Sequence, residues 1–190
     1  GVSCVYLRQP DTLGLGHAVL CAQPLINNEA FAVLLADDLI DSTIPCLKQM
    51  LAIYQEKQST IIAVQATSPE ESEQYGIIGY KVKTGRLSQI NNIIEKPSHK
   101  EAPSNLAVVG RYILNSTIFP YLSTTAVGKG GEIQLTDAIA RQLQDEIMHA
   151  WEFEGVRYDC GSKLGYLKAT IAFALKHPET KKPFTNYLKN

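Results

Sequence analysis

The stretch from Phe31 to Asp41 changes from apolar to acidic more sharply than any other part of the chain. Six small or apolar residues, 31–36, run directly into Asp37, Asp38 and, three residues later, Asp41. A continuous apolar run without Gly or Pro predicts a strand that is covered on both faces in a parallel sheet. Ligands bind at the carboxyl ends of such strands, so these aspartates could hold Mg²⁺ against a substrate phosphate. A solvated turn followed by a helix cap explains the same residues.

Predicted strands and helices alternate along most of the chain. Residues 60–66 form a nearly continuous apolar run that predicts a second strand, parallel to the first. A crossover helix, opened by residues 42–45 with Pro45 in its first turn and running to about Gln55, joins the two strands. Two strands around a turn at 83–86, followed by a strand at 105–114, favour a mixed sheet over a purely parallel one. The remaining predicted elements are a strand at 3–8, helices at 18–25, 117–122, 133–143 and 163–176, and a second hairpin at 147–160.

Two more segments carry candidate chemistry. Residues 9–18 place Pro and two glycines between a predicted strand and a helix, an order that can present backbone N–H groups to a nucleotide, although a close-packed turn has the same composition. Asp159 ends the second predicted hairpin and is a second carboxylate expected at a strand terminus, where a turn residue is the equal alternative. The helix at 133–143 is amphipathic, and Thr136 and Asp137 are expected on its polar side.

Composition narrows the class of protein. A chain of 190 residues with 45% hydrophobic and 19% charged residues predicts one globular domain over 1–190. The net charge of −1 gives no electrostatic case for nucleic acid or an anionic membrane, and no apolar run is long enough to span a bilayer. The four cysteines have no CxxC spacing, which predicts buried, reduced thiols and a cytoplasmic location.

Four groups of short motifs occur in a specific order. They are QPDTLGLGHA at 9–18, LLADDLID at 34–41, IEKP at 94–97 with SNLAVVGRY at 104–112, and GGEIQLTD at 130–137 with YDCGSKLGY at 158–166. Together they resemble the bacterial UTP:glucose-1-phosphate uridylyltransferases, also called UDP-glucose pyrophosphorylases, over essentially the whole chain. The resemblance implies an α/β, Rossmann-like nucleotidyltransferase fold, here with a mixed sheet.

The same resemblance implies an activity and a set of site residues. UTP and glucose 1-phosphate, the expected small-molecule partners, would react to UDP-glucose and pyrophosphate with Mg²⁺ as the required ion. Asp37 and Asp159 would hold the metal, and Lys96 would reach the sugar phosphate, so Asp37 and Lys96 are the expected catalytic residues. Asp38 and Asp41 are then expected in a turn or cap. The other expected substrate contacts are Gln9 and Gly14 with uridine, Gly76 and Glu95 with glucose hydroxyls, and Val108 with the sugar pocket.

The resemblance departs from the family at the amino end. The family opens with a strand and a Gly-rich loop that bind the triphosphate, and the sequence contains no such segment. We therefore expect an N-terminally truncated domain, inactive by itself, and a homo-oligomer for the full-length protein. Three alternatives remain open: thymidylyl, cytidylyl or adenylyl transfer to a sugar phosphate, a glycosyltransferase with a metal-bound diphosphate at residues 37–41, and a noncatalytic module that binds nucleotide sugars.

Overall fold

The computed structural model describes residues 1–189, apart from the side chain of Lys129. Fourteen helices and strands are assigned within these residues, besides short 3₁₀ turns. In chain order they are α1 Leu15–Cys21, β1 Phe31–Leu34, β2 Asp38–Asp41, α2 Cys46–Lys57, β3 Ile61–Ala66, β4 Gly76–Thr84, β5 Leu87–Glu95, β6 Leu106–Leu114, α3 Ile118–Thr124, α4 Leu135–Gln142, β7 His149–Glu152, β8 Val156–Asp159, α5 Lys163–Ala174 and α6 Pro178–Tyr187.

Six strands form one mixed sheet in the order β1-β6-β3-β7-β5-β4. β3 and β7 are parallel neighbours and the other pairs are antiparallel, which confirms the predicted mixed sheet. The hairpin of β4 and β5 was also predicted correctly. β1 and β3 run in the same direction, as expected, since both are antiparallel to β6, but β6 lies between them.

Hydrophobic residues cover the main sheet on both faces. In β3, Ile62 and Val64 point into a cluster with α1, α3 and α4, whereas Ile61 and Ala63 pack with Cys46 and Met50 of α2. Successive side chains of a strand point to opposite faces, so a strand buried on both sides needs an unbroken apolar run. The sequence of β3 meets this requirement, and its first four residues are all buried.

A second, two-stranded sheet pairs β2 with β8 in antiparallel register. The predicted hairpin at 147–160 was therefore wrong, because β7 joins the main sheet beside β3 and β8 leaves it to pair with β2. The turn or cap predicted for Asp38 and Asp41 was also wrong, since both belong to β2. Asp38 faces Asp159 across this pair.

β1 and the first residues differ from their predictions. β1 pairs only with β6 among the described strands, and its side chains alternate, with Ala32 and Leu34 exposed, so it is not covered on both faces. Residues 3–8, predicted as a strand, are irregular and exposed because no described strand offers them a hydrogen-bonding partner. Helix α1 begins at Leu15, earlier than predicted, and α6 was not predicted.

The burial of the cysteine thiols differs from the prediction. All four cysteines are free, but only Cys46 is buried, whereas Cys4 is exposed and the other two are half-buried. The predicted burial of all four thiols was thus wrong for three of them. Within the described residues, no helix has the length and apolar character needed to cross a membrane.

Candidate active site

A cavity of about 280 Å³ opens where the ends of β1, β5 and β8 meet the middle of β6 and the start of α4. Six of the eight residues predicted for the site line it, and the structure brings them together from distant parts of the sequence. They are Asp37, Gly76, Glu95, Lys96, Val108 and Asp159. Gln9 and Gly14 do not line the cavity, but Leu15, which follows Gly14, does.

Two carboxylates face a common space at one side of the cavity. The backbone N–H of Cys160 donates to the carbonyl oxygen of Asp37 at 2.7 Å, which holds the residue before β2 against the end of β8. A Cβ atom placed on Gly161 would lie 3.1 Å from Asp159 Oδ1 and 3.4 Å from Asp37 Oδ2. Glycine at this position therefore keeps the space between the two carboxylates open.

The donor set at this space fits Mg²⁺. The described residues contain no group of three or more His, Cys, Asp or Glu side chains that could hold a metal ion. Mg²⁺ is usually bound through one or two carboxylates, with waters and substrate phosphates as the other ligands, and rarely by a complete protein cage. Asp37 and Asp159 could supply the two carboxylates of such an incomplete, all-oxygen site.

Arg157 contacts both Asp38 and Asp159. Its guanidinium forms an ion pair with Asp38, in which both side chains are buried, and its Nη2 lies 3.5 Å from Asp159 Oδ2. The Tyr75 hydroxyl donates to the same Asp159 oxygen at 2.9 Å, and the guanidinium carbon lies 4.7 Å from the centre of the Tyr75 ring. Burial raises the pKa of Tyr75, so its hydroxyl stays a neutral donor. Although burial by itself would lower the pKa of Arg157, the hydrogen bond and charge of Asp38 raise it.

Asp38 also attaches the small sheet to the main sheet. Its Oδ2 accepts a hydrogen bond from the backbone N–H of Gly110 in β6 at 2.7 Å. A Cβ on Gly110 would lie 2.6 Å from that oxygen and 2.6 Å from Leu35 Cβ, so only glycine allows this close approach. Arg111 extends the attachment by donating to the carbonyl oxygens of Leu35 and Asp38.

A second group of cavity residues contains those expected to bind a sugar. Glu95 ends β5 and faces Gly76, its register partner in β4. The Thr136 hydroxyl donates to Glu95 Oε2 at 2.8 Å, and Lys96 Nζ lies 3.8 Å from Glu95 Oε1. Thr136 is buried and lines the cavity, which its predicted place on the polar side of α4 did not specify.

Lys96 has an unusual backbone conformation. Its φ is 45°, in the left-handed region that non-glycine residues rarely adopt, and it precedes Pro97. Its N–H donates to the carbonyl oxygen of Tyr75 at 3.0 Å, which fixes this geometry. Strained backbone of this kind clusters at functional sites, where surrounding contacts maintain it.

The loop of Gln9 and Gly14 is ordered by its own contacts. Gln9 Nε2 donates to the carbonyl oxygen of Gly14 at 3.1 Å and lies 2.9 Å from His17 Nδ1. Gly14 has φ 88°, which favours glycine, and Ile133 exchanges backbone hydrogen bonds with Leu13 and Gly16 on either side of it. The loop therefore reaches the cavity through Leu15 and the start of α4.

Among the cavity residues that were not predicted from the sequence are Tyr75, Tyr112, Thr136 and Arg157. Burial raises the pKa of Tyr112, and the charges of Glu95 and Asp38 act in the same direction, so its phenol remains neutral. The sequence gives one indication of a role for Arg157. It is a charged residue in a short predicted strand, two positions before Asp159.

The sequence of the chain is similar to those of known nucleotidyl transferases. The nucleotidyl transferase family profile matches residues 1–174. The UTP–glucose-1-phosphate uridylyltransferase of Staphylococcus haemolyticus (strain JCSC1435) is 46% identical over 184 residues, which are 97% of this chain and 64% of that protein. The chain thus spans 64% of the length of this curated relative.

Two solved structures are similar over most of the chain. A UDP-glucose pyrophosphorylase complexed with UDP-glucose has a TM-score of 0.88 at 46% identity, covering 91% of this chain and 66% of that one. A UTP-bound enzyme of the same kind from Acinetobacter baumannii has a TM-score of 0.90 at 40% identity, covering 100% and 66%. These matches confirm the predicted α/β nucleotidyltransferase fold, and the family profile shows that the chain belongs to the nucleotidyl transferase family.

Proposed function

We propose that this chain takes part in uridylyl transfer from UTP to glucose 1-phosphate, which gives UDP-glucose and pyrophosphate. One observation carries the proposal: a single cavity is lined both by two carboxylates, Asp37 and Asp159, and by a Glu–Lys pair beside a glycine. The first arrangement suits a metal with phosphates, and the second suits sugar hydroxyls next to a phosphate. The names of the relatives and of the solved structures support the same substrates.

The proposed reaction needs positioning more than proton transfer. A phosphate oxygen of glucose 1-phosphate forms the new bond to the α-phosphorus of UTP, and the bond from that phosphorus to the β-phosphate oxygen breaks, which releases pyrophosphate. The nucleophile is already anionic, so no protein base is required. In our proposal, the Lys96 ammonium lowers the repulsion between the two anionic substrates, while Glu95 accepts hydrogen bonds from glucose hydroxyls beside Gly76 and Val108.

We further propose that Asp37 and Asp159 hold Mg²⁺. The bound ion would neutralise phosphate charge while the bond is exchanged. Asp159 is kept in place for this role by the Tyr75 hydroxyl, by Arg157 and by the N–H of Gly161, which donates to Oδ1 at 3.0 Å. Asp37 is kept in place by the backbone hydrogen bond from Cys160.

Gln9 and Gly14 are proposed to bind the uracil base. The amide nitrogen of Gln9 already contacts the Gly14 carbonyl oxygen and His17 Nδ1, so the amide oxygen is the atom that can accept a hydrogen bond from a base. Uracil carries an N–H donor on its ring, which suits this acceptor. The loop is next to the cavity, so a nucleotide held there could extend towards Asp37 and Asp159.

The test is a pyrophosphate-release assay with UTP, glucose 1-phosphate and Mg²⁺, on the protein at the full length that its gene encodes. We expect Asp37→Asn and Lys96→Ala each to lower turnover by about 100-fold or more while leaving the circular dichroism spectrum unchanged. Matched controls are Asp41→Asn, whose side chain pairs with Lys176 outside this cavity, and Lys81→Ala on an exposed part of β4. Activity near that of the controls would refute the two assignments.

The same assay separates the alternatives. Glucose 1-phosphate with dTTP, CTP or ATP should give lower kcat/KM than glucose 1-phosphate with UTP, and so should galactose 1-phosphate or mannose 1-phosphate with any of the four triphosphates. A noncatalytic module would bind UDP-glucose without releasing pyrophosphate, and a glycosyltransferase would transfer glucose to an acceptor.

We also propose a cytoplasmic location, which the free thiols support, and a homo-oligomer, which sedimentation of the full-length protein would test.

A further inference from the structure

The two carboxylate oxygens of Glu95 have different surroundings. Oε2 accepts the hydrogen bond from the Thr136 hydroxyl at 2.8 Å and would lie 3.2 Å from a Cβ on Gly76. Oε1 lies 3.8 Å from Lys96 Nζ, and the side chain keeps 15% of its surface exposed. Oε2 is thus held against β4 and α4, which leaves Oε1 as the oxygen better placed to accept a further hydrogen bond.

Thr136 is itself fixed. It is the second residue of α4, is 6% exposed, and lies between the start of β4 and the end of β5. Its Cγ2 methyl would lie 3.0 Å from a Cβ on Gly76, so the methyl group fills the space that this glycine leaves. A β-branched side chain has few χ1 options in a helix, and the packed methyl selects the one that directs the hydroxyl to Glu95.

The Glu95 carboxylate would turn more freely without this contact. The terminal torsion of Glu is broad, so packing or a hydrogen bond must fix the plane of the two oxygens. The Lys96 ammonium attracts either oxygen and therefore does not fix the plane by itself. Thr136 supplies a directional donor, which a point charge does not.

We propose that Thr136 is a positioning residue that sets the orientation of Glu95 and thereby the recognition of the hexose. The inference rests on the proposed function, because Thr136 acts through Glu95, the proposed acceptor for glucose hydroxyls. It acts on the sugar part of the ligand, because its hydroxyl donates to Glu95, whereas Asp37 and Asp159 are held by other groups. Loss of the Thr136 hydroxyl should therefore weaken the binding of UDP-glucose and leave the binding of UDP unchanged.

The test compares Thr136→Val and Thr136→Ser in the full-length protein by calorimetry with UDP-glucose and with UDP. Valine keeps the shape of threonine and removes the hydroxyl, whereas serine keeps the hydroxyl. We expect valine to weaken UDP-glucose binding about tenfold, since a hydrogen bond to a charged group is lost, with UDP binding unchanged. Serine keeps the donor but lacks the methyl that selects its rotamer, so it should restore part of the UDP-glucose affinity and bind it more tightly than the valine variant does.

Kinetics provide a second readout. In the valine variant, KM for glucose 1-phosphate should rise more than kcat falls, and the preference for glucose 1-phosphate over galactose 1-phosphate should shrink. Equal loss for UDP-glucose and UDP would indicate a general structural effect and overturn the inference, as would unchanged affinity for both. If the unmodified protein binds UDP-glucose no better than UDP, the proposed function itself fails, and the inference fails with it.

Discussion

The buried pair of Arg157 and Asp38 allows a quantitative test of how the small sheet is held. The two side chains are 7% and 6% exposed, and Asp38 has the N–H of Gly110 as its other side-chain partner. Replacing Arg157 with Met would leave a buried carboxylate with that single hydrogen bond. Breaking a buried ion pair from one side typically costs about 3–5 kcal/mol, so we expect a loss of this size in the free energy of unfolding.

The assay is urea unfolding followed by the fluorescence of Trp151, the only tryptophan of the chain. Trp151 is half-buried and donates to Gln49 Oε1 at 3.1 Å, so its environment changes on unfolding. Lys176→Met is the control, because Lys176 is 63% exposed and its ion pair with Asp41 should contribute no more than about 1 kcal/mol.

A double-mutant cycle isolates the pair. Asp38→Asn with Arg157→Met removes both charges and keeps an acceptor for Gly110, so the double variant should be at least about 2 kcal/mol more stable than the sum of the single losses predicts. Additive losses, or a cost for Arg157→Met no larger than that of the control, would refute the reasoning that a desolvated charge pair joins the sheets.

Two further predictions concern groups outside the cavity. Burial raises the pKa of Cys46 to about 11, although the charge of Arg111 opposes the shift, so at pH 8 about one Cys46 thiol in a thousand is ionised. Iodoacetamide should label the exposed Cys4 in minutes and leave Cys46 unmodified, as peptide mass spectrometry would show; rapid labelling of folded Cys46 would contradict this. Burial, with a smaller contribution from Lys57, lowers the pKa of His149 below its ordinary 6.5. The unfolded chain then binds the proton more readily, so the stability from neutral His149 is complete above that value and is lost as the pH falls through the folded-state pKa. His149→Gln should show a weaker decrease of urea midpoint between about pH 7 and pH 5 than the unmodified chain, and an unchanged decrease would exclude His149 as its source.

Local patterns predicted the elements whose partners are close in sequence. The β4–β5 hairpin has its strands on either side of a turn at Gly85, which has φ 58°, so its register follows from adjacent residues. Helices α2 and α5 were predicted from apolar spacing and start signals, to within a few residues of their observed ends. Such features need no information from the rest of the chain.

The elements that were predicted wrongly depend on distant partners. β2 has the sequence Asp-Leu-Ile-Asp, which by itself is typical of a turn. It forms a strand because β8 pairs with it and because the Arg157 guanidinium compensates the charge of Asp38. The apolar run that begins at Phe31 correctly predicted a strand. It could not show which faces of that strand other parts of the described chain would cover. The carboxylates and the lysine of the site belong to motifs that are recognisable in the sequence. The contact of the Thr136 hydroxyl with Glu95 follows only from the packing of the folded chain.

The division of the cavity between two sheets has a mechanical consequence. Glu95, Lys96 and Gly76 belong to or directly follow strands of the main sheet, whereas Asp37 and Asp159 flank or end strands of the small one. The distance between the two groups is therefore a property of the contacts that join the sheets, chiefly Gly110 with Asp38 and Tyr75 with Asp159. In the proposed reaction, a change that lets the small sheet shift by a fraction of an ångström would misalign the phosphates while each half keeps its own ligand, so substrate affinity and turnover would be lost separately.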